Sequence, residues 1–362
     1  MTGKTVVLTG ATSGIGRAAA VQLVSMGAGV AILARDGERA SDAEREIARL
    51  GEEAWREAVE RHTRRAAAQE RAAARRERNA DGELLTGFAA AYAAPLRQDQ
   101  SEDGAGEGIA DEGRSPDGET NEKNRNKPPP EPGKVRTVEC DLASIASVRK
   151  AADQLLAELP RIHVLINNAG VFPRRRRETA DGYELTFAVN HLGHFLLTNL
   201  LLPRLAESAP ARIVVVTCSS HRLGELQFDD LQSERRYRPF RAYAQSKIAN
   251  VLFVRELAQR LDGTGVTVNA LHPGTVGTAL FSSRRGEVLV AQRILHALLW
   301  PVFRTPERGA QPLVSLASDP ALQNVSGRYF YDMHERAPSP EALNAESARH
   351  LWEVSEALVN GR

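Results

Sequence analysis

Three observations in the sequence predict an α/β fold built on a doubly wound parallel sheet. Short runs rich in Val, Ile and Leu recur along the chain, and segments with helical periodicity separate them. The apolar runs are nearly continuous rather than alternating, which is typical of strands that helices cover on both faces. Right-handed crossovers between such strands place helices on both sides of one sheet.

The predicted strands follow one another in a regular order. The first, KTVVLTG, precedes a helix from about residue 15 to residue 26, and GAGVAILA follows that helix. The later strands are KVRTVEC, HVLINNAG, RIVVVTC and GVTVNALHPG. Because helical segments lie between them, they are interpreted as parallel strands of a single sheet.

Residues 52–132 interrupt this alternation and are interpreted as an insertion after a helix that ends near Leu50. Trp55–Asn79 is rich in Ala, Arg and Glu, which predicts a charged helix with little apolar stripe. Residues 95–132 are rich in Gly, Pro, Asp, Glu and Asn, a composition that predicts a disordered linker. A longer surface loop costs little free energy, so residues 1–51 and 133–362 are expected to form one domain. The alternative is an insertion that docks a partner.

Composition and charge exclude several classes of protein. The 362 residues carry 47 Lys and Arg against 46 Asp and Glu, a formal charge of +1, which predicts no nucleic-acid partner. The two cysteines, Cys140 and Cys218, lie in apolar strand-like contexts. A disulfide framework is therefore not expected, and a reducing compartment, the cytoplasm, is predicted. No metal site is predicted.

The sequence also bears on membrane contact. Its first four residues lead directly into an apolar strand, so no signal peptide is expected, and no run is expected to span a bilayer. The alternative to a freely soluble protein is peripheral contact through LHALLWPVF (residues 295–303), with Arg304 and Arg308 at headgroup level.

The segment TGATSGIG, residues 9–16, lies between the first strand and the first helix. Its glycines allow a tight turn and close approach of the backbone to a ligand. The helix N-terminus then offers N–H groups and the positive end of its dipole to a phosphate. The alternative is a turn that serves only helix–strand packing. In this place in a parallel sheet, the segment predicts a dinucleotide site made by Gly10, Ser13, Gly14, Ile15 and Gly16.

The end of the second strand bears on the choice between NADP(H) and NAD(H). A carboxylate there accepts a hydrogen bond from a free ribose 2′-OH, whereas the planar fork of arginine suits a 2′-phosphate. The strand ends at Ala34 and is followed by Arg35, while Asp36 is suited to cap the next helix. We predict NADP(H) bound by Arg35, with added positive charge from Arg17. NAD(H) held by Asp36 is the alternative.

Five motifs occur in the order found in short-chain dehydrogenases/reductases, and the chain resembles that family. They are TGATSGIG, NNAG (residues 167–170), Asn190 in FAVNHLGHF, YAQSK (residues 243–247) and HPG (residues 272–274). More narrowly, NHLGHFLLTNLLL, YAQSKIANVLFVREL and HPGTVGTAL are similar to the retinol dehydrogenase-like branch. The resemblance covers everything except the insertion and implies a Rossmann fold and an oxidoreductase.

The resemblance implies that Tyr243 is the general acid/base, which gives a proton to a carbonyl oxygen or takes one from an alcohol. A free tyrosine has a pKa of about 10, and a nearby cation lowers it. Lys247 follows four residues later, on the same helical face, so we expect it to lower the pKa of Tyr243. The resemblance adds that Lys247 binds the nicotinamide ribose and that Asn190 holds a water in a proton relay.

Further cofactor contacts are implied by the remaining motifs. Asp141 and Leu142, after the third strand, resemble the pair that contacts adenine, although Asp141 is equally suited to cap the helix beginning near Ser144. The other implied contacts are Asn168, Ala169, Gly170, Pro273, Gly274, Thr275 and Thr278, with Tyr243 and Lys247.

One position departs from the family pattern. The family uses a serine at the end of the fifth strand to bind the substrate oxygen, and an ungapped count from Tyr243 places Cys218 there. A thiol is a weak hydrogen-bond donor. A shift of one residue brings in Ser219 instead, although each step along a strand reverses the side-chain direction. We favour Ser219 as the catalytic serine, with Cys218 as the alternative.

These observations predict an NADP(H)-dependent oxidoreductase that interconverts an apolar alcohol and its aldehyde or ketone. Many apolar residues between Thr275 and Arg304 are expected to form a lid over a lipophilic substrate such as a retinoid, or to pack beneath that lid. The run Arg174–Arg177 is interpreted as solvated, with steering of an anionic substrate as the alternative. The competing function is a catalytically weak, cofactor-binding regulatory or scaffold protein. The oligomeric state is not predicted.

Overall fold

The computed structural model describes residues 1–35, 37–93, 128–274 and 304–361. In the long helix that ends at Ala93, side chains are described as far as residue 72, apart from residue 70. The chain divides into two compact units, Met1–Ala54 with Pro130–Arg362, and Trp55–Pro129. The predicted division at residues 52 and 132 stays a prediction, and the predicted linker lies mostly outside the described residues.

Strands and helices alternate along the described chain as the sequence predicts. The strands are β1 (Thr5–Thr9), β2 (Gly29–Ala34), β3 (Val135–Glu139), β4 (Val164–Asn167), β5 (Ala211–Val216), β6 (Val266–His272), β7 (Tyr329–Tyr331) and β8 (His334–Glu335). The helices are α1 (Gly14–Ser25), α2 (Gly37–Ala93), α3 (Ile145–Glu158), α4 (Leu185–Glu207, with a π-helical turn at Ala188–Leu192), α5 (Pro239–Arg260), α6 (Pro306–Ser318) and α7 (Ala345–Asn360).

The strands form one sheet in the order β3-β2-β1-β4-β5-β6-β7-β8. The pairs from β3 to β7 are parallel, and β8 joins β7 antiparallel at the edge. The chain moves outward from β1 in one direction through β2 and β3, and in the other from β4 onward. The predicted doubly wound fold is therefore confirmed, and the reversal at β1 and β4 opens a crevice at the carboxyl ends of the strands.

Each face of the sheet has its own apolar core. One core joins α3, α4, α5 and α7 to the sheet and includes Phe187, Phe195 and Trp352. The other joins α1, the start of α2 and α6, and includes Leu23 and Ile47. Side chains of successive strand residues alternate between these two cores, which explains the continuous apolar character of the strands.

Side-chain caps define where several helices begin. Ser144 accepts a hydrogen bond from the backbone N–H of Ser147 at α3, and Asn344 accepts one from Ser347 at α7. Thr305 accepts one from Arg308 at α6. These contacts satisfy backbone donors that the first helical turn leaves without partners. The local sequence therefore determines where these three helices begin.

Two expectations about helices need correction. A break near Leu50 was expected, yet α2 runs without interruption from Gly37 to Ala93. Strong helix formers on both sides of Gly51 carry the helix through that glycine. No segment was expected to be long and apolar enough to cross a membrane, yet Leu185–Glu207 is. Of the most apolar 18-residue window in that stretch, 78% is buried within the protein, as a core helix of a Rossmann domain would be.

Arg304, which the peripheral-contact alternative places at headgroup level, forms an ion pair in the structure, and that alternative stays a prediction. Its guanidinium donates to both carboxylate oxygens of Asp332, at 2.6 and 3.0 Å, and lies against Gly274. This ion pair raises the pKa of Arg304 and lowers the pKa of Asp332, chiefly through the hydrogen bonds between them. The apolar residues of the predicted lid, 275–303, lie outside the described residues.

Candidate active site

A cleft of about 860 Å³ lies at the carboxyl edge of the sheet, at the reversal of strand order. Its volume is in the range of about 300–1,000 Å³ found for ligand pockets. We name the two ends of this cleft after residues that line them. The glycine end comprises Gly10–Gly16, Arg35 and Asp141, and the tyrosine end comprises Tyr243, Lys247, Cys218 and Ser220.

The glycine end is shaped mainly by backbone. Gly10 and Gly14 have φ angles of 71° and 57°, in the left-handed region that favours glycine. A Cβ atom on Gly10 would lie 2.8 Å from the Cα of Ala169, so only glycine allows this approach to the turn after β4. Ser13 makes no side-chain cap on α1. The first-turn N–H groups of α1 are therefore left to a ligand, and this cradle fits a phosphate.

A buried hydrogen-bond network fixes the glycine turn to the turn after β4. The Thr9 hydroxyl accepts from the backbone N–H groups of Asn168 (2.9 Å) and Ala169 (3.0 Å) and lies 2.9 Å from His194 Nε2. His194 Nδ1 lies 3.2 Å from the carbonyl oxygen of Asn190. Since a carbonyl only accepts, Nδ1 carries the proton and Nε2 accepts from Thr9. Burial lowers the pKa of His194 to about 3, which keeps it neutral.

Arginines and a carboxylate line the glycine end where β2 and β3 finish. Arg35 and Arg39 both line the cleft, and Asp36 lies outside the described residues. Arg17, the expected source of added positive charge, pairs with Glu46 at 2.7 Å and is not among the residues that line the cleft. The carboxylate of Asp141 accepts from the N–H of Ala143 rather than capping α3.

At the tyrosine end, Tyr243 and Lys247 are both buried and lie one helical turn apart on α5. The Lys247 ammonium lies 5.6 Å from the centroid of the Tyr243 ring and donates to the carbonyl oxygen of Val216 at 3.2 Å. The ring of Phe172 meets the Tyr243 ring edge-on at 5.2 Å. The predicted pairing of the two residues on one helical face is therefore present in the cleft wall.

Burial sets the ionisation of this pair in the protein alone. Burial is the main reason that the pKa of Tyr243 lies well above its ordinary value, and the neighbouring Cys218 raises it further. Burial also lowers the pKa of Lys247, and Cys218 opposes that change. The pKa of Tyr243 is therefore raised in the protein alone, and not lowered as expected, because burial disfavours the charged phenolate.

Asn190 lies beneath the cleft rather than in its lining. It occupies the π-helical turn of α4, and its side-chain oxygen accepts from the N–H of Val171 at 2.8 Å. Its amide nitrogen donates to the Ser246 hydroxyl at 3.0 Å. A Cβ atom added to Gly170 would lie 3.5 Å from Asn190 Oδ1 and 3.8 Å from Lys247 Nζ. Gly170 therefore lies close to both of these polar groups. Its predicted relay role stays a prediction.

The chain after β5 brings three small polar side chains to the tyrosine end. Cys218 is hydrogen-bonded to Tyr243, and its sulfur lies 2.6 Å from the Ser220 hydroxyl oxygen. Ser219, the favoured serine, starts a 3-10 turn (Ser219–Leu223) and is exposed, although it also lines the cleft. The contact to Tyr243 thus comes from Cys218, the alternative considered for that position.

The mouth of the cleft is apolar. Leu223 and Phe240 are 73% and 51% exposed, and both line the cleft together with Val171 and Phe172. Exposed large apolar side chains beside a cleft are typical of a surface that a ligand covers. Of the run Arg174–Arg177, the cleft lining includes only Arg177 among the described residues. The apolar rim was not recognised from the sequence, because neither residue belongs to a motif.

The structure brings most of the predicted site residues together. The cleft lining includes Gly10, Ser13, Gly14, Ile15, Gly16, Arg35, Asp141, Leu142, Asn168, Ala169, Gly170, Ser219, Tyr243, Lys247, Pro273 and Gly274. Thr275 and Thr278 lie outside the described residues. The sequence analysis missed Ser220, His194 and His221. The roles of the two histidines depend on hydrogen bonds to residues far away in the chain, and the role of Ser220 depends on the turn that brings it back to Cys218. The two serines beside Cys218 were the one available signal for Ser220.

The model of the short chain dehydrogenase family matches residues 4–79 and 114–288. The chain belongs to this family. Mouse retinol dehydrogenase 14 is 41% identical over 360 residues, which cover 99% of this chain and 86% of the relative. Human retinol dehydrogenase 12 is 48% identical over 226 residues, 61% of this chain and 69% of the relative. The chain is therefore retinol dehydrogenase-like, as the motifs predicted.

A solved structure agrees with the fold and the class of cofactor. A protein described as an NAD(P) dependent gluconate 5-dehydrogenase from Beutenbergia cavernae, with bound NADP at low occupancy, has a TM-score of 0.54 and 25% identity. The match covers 91% of this chain and 95% of that one. Family membership and this likeness make the chain an oxidoreductase of alcohols and carbonyl compounds with a nicotinamide cofactor.

Proposed function

We propose that the protein is an NADP(H)-dependent reductase of lipophilic aldehydes or ketones, with Tyr243 as the group that donates the proton. The observation that carries this proposal is the position of the Tyr243 hydroxyl. It is buried in the cleft, hydrogen-bonded to Cys218 and held on the same helix as the Lys247 ammonium. A substrate oxygen bound beside Cys218 would meet the protonated O–H of Tyr243, with the Lys247 ammonium close by.

Burial keeps the phenol of Tyr243 protonated at neutral pH, and the protonated form is the one that donates to a carbonyl oxygen. The nicotinamide cofactor, when bound, supplies the hydride to the carbonyl carbon or takes it back in the reverse direction. As Tyr243 gives up its proton, Lys247 stabilises the phenolate that forms. The same groups in reverse would remove the proton of an alcohol.

The choice of NADP(H) is supported by the arginines at the glycine end. Arg35 and Arg39 both line the cleft where β2 ends, and a guanidinium matches the geometry of a 2′-phosphate. Asp141 and Leu142 line the same end and are suited to contact the adenine. NAD(H) lacks the 2′-phosphate and would not make this contact.

The substrate class follows from the rim of the cleft. Leu223, Phe240, Phe172 and Val171 offer an apolar surface to a long or bulky carbonyl compound. The curated relatives named above are called retinol dehydrogenases, which supports a retinoid-like substrate. Arg177 at the same cleft adds one positive charge, so a lipophilic substrate with an anionic end is also accommodated.

The experiment is NADPH oxidation by the purified protein with all-trans-retinal and a panel of apolar aldehydes. We expect Tyr243→Phe to lower kcat by about 10²- to 10⁴-fold, the usual contribution of a general acid. Its affinity for NADPH, measured by fluorescence, should stay within a few-fold of the parent's. Tyr237→Phe is the matched control, since Tyr237 does not line the cleft and its hydroxyl donates to the carbonyl oxygen of Pro173.

Two results would count against this function. Unchanged turnover in Tyr243→Phe would remove the proton donor from the proposal. Binding of NADPH without turnover of any aldehyde would favour the cofactor-binding regulatory protein instead.

A further inference from the structure

The thiol of Cys218 leaves the tyrosine end without a strong donor at the position where the family has a serine. Carbonyl reduction develops negative charge on the substrate oxygen, and Tyr243 alone then stabilises it. A thiol donates hydrogen bonds weakly, whereas a hydroxyl donates strongly. Loss of one such donor typically costs about 10²- to 10³-fold in rate. A second hydroxyl at this end would therefore have a large effect.

We propose that Ser220 supplies this missing hydroxyl and is a further catalytic residue of the site. Its hydroxyl oxygen lies 2.6 Å from the sulfur of Cys218, which is itself hydrogen-bonded to Tyr243. Ser220 is half-buried and lines the same cleft. This inference rests on the proposed reductase function and adds the group that holds the substrate oxygen.

The turn that carries Ser220 explains why the residue two positions beyond Cys218 reaches back to it. Cys218 ends the extended segment, with φ −158° and ψ 175°, and the 3-10 turn Ser219–Leu223 begins directly after it. Ser219 at the start of this turn is exposed, whereas the next side chain folds back onto the thiol. Contact with the Cys218 sulfur therefore distinguishes Ser220 from Ser219.

His221 holds this turn in place. It is fully buried, and its Nε2 accepts a hydrogen bond from the backbone N–H of Ser339 at 3.2 Å. The ring proton is consequently on Nδ1, which donates to the carbonyl oxygen of Cys218 at 2.7 Å. The ring of Tyr329 packs against it at 4.8 Å. His221 is thus a positioning residue, because it fixes the backbone of Cys218 from which the serine turn continues.

When the substrate binds, the hydroxyl of Ser220 turns from the sulfur to the substrate oxygen. That oxygen accepts one hydrogen bond from Ser220 and the proton from Tyr243, and no covalent bond to the protein forms. Cys218 fills the remaining space between the two hydroxyl groups. The thiol needs no ionisation in this scheme, so the catalytic cycle consumes only the hydride and the Tyr243 proton.

A double-mutant cycle in the intact protein tests this assignment. We expect Ser220→Ala to lower kcat with retinal about 100-fold, the loss of one donor to the substrate oxygen. Ser219→Ala removes the same hydroxyl from the adjacent exposed position and tests the rival assignment, so the inference requires a much smaller loss of kcat in Ser219→Ala than in Ser220→Ala.

The second half of the cycle separates a chemical role from a structural one. Cys218→Ser restores a hydroxyl beside Tyr243 and should raise kcat. In the Cys218→Ser background, Ser220→Ala should lower kcat by less than about threefold, since the hydroxyl introduced at position 218 now makes the same hydrogen bond to the substrate oxygen. An equal loss in both backgrounds would mean that Ser220 only supports the fold, and it would overturn the inference. A large loss in Ser219→Ala with none in Ser220→Ala would assign the role to Ser219.

Failure of this inference differs from failure of the proposed function. Loss of turnover in Tyr243→Phe together with full activity in Ser220→Ala would leave the reductase intact and exclude Ser220. Absence of turnover in the parent and in Cys218→Ser would exclude the reductase function and the role of Ser220 with it. Thermal unfolding of every variant identifies any loss of activity that comes from misfolding.

Discussion

The two ends of the cleft are built from different parts of the chain. At the glycine end, a single local segment, Gly10–Gly16, shapes the surface through its backbone and one helix N-terminus. At the tyrosine end, residues from β5, the following turn and α5 meet through side chains. Local sequence therefore specifies the first end, while the second depends on how distant segments pack. The variants below test that difference.

Gly10→Ala should have the largest effect. The substitution places a Cβ 2.8 Å from the Cα of Ala169 and strains a residue at φ 71°. The left-handed conformation alone costs about 1–2 kcal/mol. The displaced turn should also lower kcat/KM for NADPH on the order of 10²-fold, since a shift of about 1 Å can cost that much.

Gly263→Ala is the control for Gly10→Ala. Its φ is 73°, and no atom lies within 4 Å of the added Cβ. Both variants should lose similar stability in urea unfolding, but only Gly10→Ala should lose activity with NADPH. Equal loss of activity in both would mean that strain, and not close approach to the turn after β4, explains the glycine.

Acid should weaken the packing beneath the tyrosine end. His191 joins α4 to α5 and α7 through Asn250 and Ser355, and burial lowers its pKa from 6.5 to about 4. A depressed histidine pKa means that the unfolded chain binds the proton first, so stability present above pH 6.5 is lost as pH falls toward 4. From these values, the titration of His191 alone should make the free energy of unfolding about 2 kcal/mol lower at pH 5 than at pH 8.

Urea unfolding at several pH values measures this loss. In His191→Gln the difference in unfolding free energy between pH 8 and pH 5 should shrink by that amount, whatever the stability of the variant at pH 8. His350→Gln, an exposed position on α7, should leave the difference unchanged. A pH dependence that is the same in all three proteins would contradict the neutral, buried state of His191.

Arg35→Gln tests the choice of cofactor at the glycine end. Removal of a guanidinium that binds a 2′-phosphate should lower the preference for NADPH over NADH about 10- to 100-fold, given about 1.5–3 kcal/mol for a hydrogen bond to a charged group. Arg45→Gln is the control, because Arg45 on α2 pairs with Asp42 and does not line the cleft. An unchanged ratio of kcat/KM values for the two cofactors would favour the NAD(H) alternative.

The apolar rim should have the smallest effect. Leu223→Ser or Phe240→Ser removes apolar surface that a long substrate would cover, which at about 25 cal/mol per Å² amounts to about 1 kcal/mol, or fivefold. We expect kcat/KM to fall for retinal and long-chain aldehydes but not for short ones. Leu343→Ser, 48% exposed and outside the cleft lining, should behave like the parent with every aldehyde.

The success of the sequence prediction differs between the two ends for a physical reason. Glycines that adopt positive φ or allow close approach are constrained by their neighbours, so the turn was predicted residue by residue. The spacing of Tyr243 and Lys247 on one helix was equally local. The direction of the Tyr243 pKa change was wrong, because burial of a side chain is a property of the whole packed domain.

The sequence by itself determined the doubly wound sheet, the glycine turn and the family of the protein. Each depends on local periodicity or on motifs in a fixed order along the chain. Only the tertiary structure decided that Cys218 contacts Tyr243, that Ser220 lies against its sulfur and that His221 holds their turn. The contact of Cys218 with Tyr243 and the hydrogen bond from Ser339 to His221 join residues far apart in the chain, and they exist because β5, α5 and the segment after β8 pack around one edge of the sheet. Cys218 and Ser220 are close in the chain, and the 3-10 turn that follows Cys218 brings their side chains together.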